Sequence, residues 1–128
     1  MMRGYKHITT LTIVSAYKAT SPIFGGLLSE MRELSKKKPD ETLNKNKVKI
    51  LNRVLQDLHT FLKDEPEGKY LDLLDDEDLP QNSDAVLAMV QYEKALGEFY
   101  ERYHNRILGE FDWVTEEKLR ELEEDAEE

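Results

Sequence analysis

Between Val48 and Leu62 the apolar side chains Val48, Leu51, Leu55, Leu58 and Leu62 step by 3, 4, 3 and 4 residues. That spacing lines one face of an α-helix. Ile50, Val54 and Phe61 widen the stripe beyond a third of the circumference, which predicts a helix packed against two neighbours and therefore central. It starts between Asp40 and Asn46 and spans about 44–63. On its far side Lys45, Lys49 and Arg53 recur every four residues as one basic strip.

Upstream, Phe24, Leu27, Leu28, Met31 and Leu34 also recur at threes and fours. The pattern predicts a helix opening at Ser21-Pro22, where a hydroxyl can cap and the proline ring already holds helical φ. Lys36-Lys37-Lys38 before Pro39 marks its end, with cations suited to the C-terminal dipole. Gly25-Gly26 lies within it, at a cost of about 1 kcal/mol per glycine relative to alanine. Close approach of a neighbouring helix is the favoured reason; an anion held at the helix N-terminus is the alternative, weakened by the lack of a basic residue in the loop. The preceding segment, Ile8 to Ala19, has a strand-like share of β-branched residues but helical surroundings. A separate helix is preferred, with a strand as the open alternative.

Glu65-Pro66-Glu67-Gly68 breaks the pattern, and Tyr70 to Leu74 has room for a helical turn before the acidic loop Asp75 to Asn82. Ser83 or Asp84 can cap a fourth helix over about 84–108, with Val86, Met89, Leu96, Tyr100, Tyr103 and Ile107 as heptad-like core positions broadened by Phe99. Glu93 falls in that seam, where an apolar residue belongs. Gly109 closes the helix, Phe111 and Trp113 fold back as anchors, and Thr115 opens a short last helix with Leu119 and Leu122. Residues 121–128 are almost wholly acidic and are expected to fray. The expected fold is all-α: one domain, a compact bundle of four to five helices with a short acidic C-terminal helix, as suits 128 residues.

Charge sharpens this picture. Residues 1–53 carry 11 basic and 4 acidic side chains, a balance of +7, and residues 54–128 carry 7 and 23, a balance of −16. Halves of opposite sign can dock on each other, pair two copies of the chain, or face separate partners. Cysteine is absent, which excludes disulfides and thiolate chemistry. The short, threonine-rich run Ile8 to Val14 reads as structure rather than a targeting segment, and no apolar run approaches the roughly 18 residues of a membrane span. A cytoplasmic setting is expected.

Candidate chemistry is sparse. Glu101 and His104 have the Glu-x-x-His spacing of carboxylate-bridged metal sites, but such a site needs a second copy of the motif, which the chain lacks. The acidic run Asp75 to Asp78 lacks the alternation of a calcium loop. His7, His59 and His104 lie in three segments, and no nucleophile elbow, phosphate loop or zinc-protease motif is present. The favoured expectation is a non-catalytic protein–protein interaction module without cofactor or membrane attachment, its partner another protein or a second copy in a homo-oligomer. It would steer by charge and then bury an aromatic patch of Tyr92, Tyr100, Phe111 and Trp113. The alternative is a nucleic-acid-associated factor gripping phosphates through Lys36, Lys37, Lys38, Lys45, Lys49 and Arg53.

Overall fold

The computed structural model describes residues 4–127. Its elements are α1 (Leu11–Lys37), α2 (Lys45–Leu62), a 3-10 turn (Pro66–Tyr70), α3 (Asn82–Tyr103), β1 (His104–Ile107), β2 (Glu110–Trp113) and α4 (Glu116–Glu127). The all-α bundle is as expected, with a small antiparallel hairpin added at one end. The main core joins α1, α2 and α3 through Phe24, Leu28, Met31, Val48, Leu51, Leu55, Leu58, Met89, Tyr92 and Phe99.

α2 follows its stripe closely. Asn44 caps it by accepting the Lys47 N–H at 2.8 Å, and Val48, Leu51, Leu55, Leu58, Phe61 and Leu62 are buried. Ile50 lies outside the buried face and is exposed.

The two helices expected before Pro39 are one. α1 runs for 27 residues straight through Pro22, with Thr10 as its cap. An internal proline removes one hydrogen bond and costs about 3 kcal/mol in a helix. Here its ring sits on the exposed side, while Val14 before it and Phe24, Leu28 and Met31 after it are buried, so packing on both sides holds the axis together. Gly25 and Gly26 are exposed, and a Cβ on either would meet nothing within 4 Å. Neither close packing nor an anion at a helix N-terminus explains them, because they lie mid-helix on an open face. Ser21 Oγ, expected as a cap, is shut in without a hydrogen-bond partner among the described residues.

The stretch between α2 and α3 is built rather than loose. The helical turn expected at Tyr70 to Leu74 falls earlier, over Pro66–Tyr70, and the chain then runs extended. The Asn52 side chain pairs with Leu74 like a backbone strand, donating Nδ2 to the Leu74 carbonyl and accepting the Leu74 N–H, both at 2.8 Å. The Tyr92 hydroxyl donates to the Asp72 carbonyl at 3.1 Å. Leu71 and Leu74 are thereby held in the main core. Buried Asn82 donates Nδ2 to the Lys38 carbonyl and its backbone N–H to Glu41, which fixes the start of α3 against the α1–α2 connection.

α3 ends at Tyr103, not near Ile107. Its buried face is Ala85, Met89, Tyr92, Ala95, Leu96 and Phe99. The stripe expected from the sequence is rotated from this face, with Met89, Leu96 and Phe99 common to both. Glu93, the misfit of that stripe, leaves the seam and meets Arg32 of α1 at 2.9 Å. The seam residue is Tyr92.

Beyond α3 the hairpin pairs His104 with Trp113 and Ile107 with Glu110 around the two-residue turn Leu108-Gly109. Both turn residues have positive φ, 50° and 87°, the geometry whose twist matches paired strands. Ile107, Val114 and Leu119 form a second small core with Tyr5, Ile8 and Leu122 against it. The N-terminal segment is stitched into this end, because Thr9 donates to Val114 and accepts from Glu116, both at 2.9 Å. Glu117 accepts the Leu11 N–H at 3.0 Å, and Thr115 caps α4 by accepting from Lys118. α4 stays helical to Glu127, through the residues whose composition pointed to fraying.

Candidate partner-binding surface

Where α3 gives way to the hairpin, four aromatic rings come together. The His104 ring stacks on Tyr100 at 4.6 Å and 15°, and also lies near-parallel to Phe111 at 6.3 Å and 12°. The register of the hairpin makes this possible: Arg106 faces Phe111 across the ladder, and its guanidinium lies 5.3 Å from that ring. Trp113 stands edge-on to both Tyr100 and His104, at 5.5 and 5.2 Å, and also touches Tyr17 and Phe99. It is a half-buried wedge that ties the surface stack to the main core.

Of the aromatic residues expected to bind a partner, Phe111 and Tyr100 are exposed, by 63% and 40%. Tyr92 is corrected: it is 0% exposed, enclosed in the main core with its hydroxyl on the 71–74 segment, and offers nothing to a partner. Burial, reinforced by the nearby Asp72 carboxylate, pushes its phenol up to about 12.

The residue that sequence reasoning missed is Leu108. It is 83% exposed at the hairpin tip and has a left-handed backbone that leucine adopts at a cost of about 1–2 kcal/mol. The signal is Leu108-Gly109 followed by the alternating Glu110-Phe111-Asp112-Trp113, overridden by the helical stripe through Ile107. Beside Leu108 an open groove of about 560 Å³ is lined by Tyr5, Ile107, Leu119, Leu122 and Ala126, with Glu123 and Glu127 at its edge. A smaller depression of about 200 Å³, also bordered by Leu108 and Leu122, carries Glu110, Asp112 and Lys118.

Near this end lies a polar clasp that the sequence did not reveal. Arg102 donates to Glu65 at 2.8 Å and to both carboxylate oxygens of Glu67, at 3.2 and 2.9 Å, and the Tyr103 hydroxyl bonds Glu65 at about 3 Å. Arg102 and Glu65 retain only 14% and 12% of their side-chain exposure. The guanidinium bond holds the Glu67 carboxyl below its usual range, and burial followed by the Glu65 contact pushes Tyr103 up to about 12. The 3-10 turn that supplies Glu67 depends on Gly68, where a Cβ would run into the Lys63 and Leu62 carbonyls. The clasp fixes the last turn of α3 and so aims the hairpin.

The basic residues lie apart from this end. Lys36, Lys37 and Lys38 close α1, and Lys45, Lys49 and Arg53 run along the exposed face of α2, Arg53 lying about two helical turns, or about 12 Å, from Lys45. Lys36 and Lys38 already pair with Glu33 and Glu41. The Glu101–His104 pair is divided by the end of α3, with His104 held in the ring stack. Among the described residues no group of three or more His, Asp or Glu side chains is placed to hold a metal ion. No described helix is long and apolar enough to cross a membrane.

The fold and this surface define a small helical bundle carrying a stiffened hairpin with an apolar tip. No protein-family model matches the chain, and neither a curated protein nor a solved structure matches it.

Proposed function

We propose that this protein is a non-catalytic interaction module that binds a protein partner through its hairpin end. The observation that carries the reading is Leu108. A leucine that is both conformationally strained and almost fully exposed contributes nothing to the interior, so its apolar side chain gains only by contact outside the chain. Phe111 and Tyr100 extend the same surface, and the Arg102 clasp with the Trp113 wedge holds it rigid before binding, which lowers the ordering cost of association.

Site-specific photocrosslinking tests this reading even while the partner is unidentified. A photoreactive residue at Leu108 or Phe111 should give discrete products in cells, and one at exposed Gln91 of α3 should not. Equal yields at all three positions would end it.

The second reading, phosphate contact through α2, is favoured by Lys45, Lys49 and Arg53, which are exposed and form no ion pair among the described residues. A low-salt gel shift that weakens steeply with salt, and is lost when these three are changed to alanine, would support it.

A further inference from the structure

We propose that the groove beside Leu108 receives a cationic amphipathic helix of a partner protein; this rests on the hairpin end being the binding surface. Leu119, Leu122 and Ala126 are spaced i, i+3, i+7 along α4, the spacing of a helix-packing seam. Leu119 is covered by the small core, Leu122 half-covered, and Ala126 open, so the seam runs out from under Ile107 and continues with nothing of the described chain laid on it. Most of its lining, Leu119, Leu122, Glu123, Ala126 and Glu127, belongs to α4, whose regularly spaced side chains favour a helix lying in a groove over an added strand.

The sign of the partner follows from the walls. α4 carries seven carboxylates against Lys118 and Arg120, and Lys118 is already turned to Asp112 at 3.6 Å. Glu127 borders the groove, while Glu110 borders the neighbouring depression at Leu108, beside the mutually paired Lys118 and Asp112. An apolar stripe flanked by acid complements a helix with leucine-like anchors on one face and Lys or Arg beside them. It repels anionic lipid and nucleic acid.

The probe is a labelled leucine/lysine peptide of about 18 residues, long enough to form a helix, with two controls: the same composition scrambled to remove the helical period, and a leucine/glutamate version. The full chain should bind the amphipathic cationic peptide alone, more weakly as salt rises, with amide shifts concentrated at Ile107, Leu108 and Leu122 to Ala126. Leu108→Asn, which suits the turn, should weaken binding roughly tenfold through lost apolar contact, and Leu87→Asn on exposed α3 should leave it unchanged. Equal binding of the scrambled peptide, shifts spread elsewhere, or no effect of Leu108→Asn would overturn the proposal. So would a concentration-dependent dimer abolished by Leu108→Asn that the peptide does not disturb, since the occupant is then a second copy. If no peptide binds while crosslinks at Leu108 persist, the cationic helix is wrong and the interaction surface stands; if both fail, both readings fall.

Discussion

Single side chains here carry costs that nothing among the described residues offsets, and these make the sharpest tests. Gly25→Ala and Gly26→Ala each place a methyl in open space on a regular helix and should stabilise the protein by about 0.5–1 kcal/mol in urea unfolding. Ser21→Ala removes a buried hydroxyl that has no partner among the described residues and should be neutral or stabilising. The opposite holds at Gly68, where Gly68→Ala drives a methyl against the Lys63 carbonyl and should cost about 1–3 kcal/mol. Leu108→Asn should raise stability slightly, because asparagine tolerates left-handed backbone, while weakening partner binding. A residue whose removal improves folding and harms binding is the signature expected of a functional position.

At the level of elements, the Arg102 clasp joins the end of α3 to the 3-10 turn. Arg102→Met leaves the Glu65 and Glu67 carboxylates without their cation and should cost about 2–3 kcal/mol, less than for a fully buried pair because Glu67 keeps some solvent. Its pH dependence has two limbs. Glu67 binds its proton less tightly folded than unfolded, so its contribution is complete above the ordinary carboxylate range and lost as pH falls through the lowered value. The gap between wild type and Arg102→Met should therefore narrow in acid. Tyr103 and Tyr92 hold their protons to about pH 12, so their contribution is complete below about pH 10 and lost between about 10 and 12. Spectrophotometric titration should show both phenols ionising above the ordinary tyrosine range.

At the scale of the whole molecule, opposite charge among the described residues does not act mainly as glue between the basic and acidic halves. Arg32–Glu93 bridges the basic and acidic halves, while Lys36–Glu33, Lys38–Glu41, Arg102–Glu65 and Lys118–Asp112 each stay within one half. The bridging pair is largely solvated, and Glu93→Ala should cost less than about 1 kcal/mol. The charge difference is left as an external field, consistent with steering a cationic partner toward α4. The sequence by itself determined the helical class, the placement and buried face of α2 and the split of charge, because each is written in residues a few positions apart on one face or in simple composition. Only the tertiary structure decided that α1 passes through Pro22, that Tyr92 rather than Glu93 occupies the α3 seam, and that the chain turns into a hairpin after Tyr103. Those outcomes rest on contacts between distant segments, such as Glu67 with Arg102 across 35 positions and Leu11 with Glu117 across 106. Local periodicity cannot weigh such contacts, and small seam residues such as Ala85 and Ala95, which look neutral in the sequence, rotate the buried face of a helix only once a partner helix is present to pack against them.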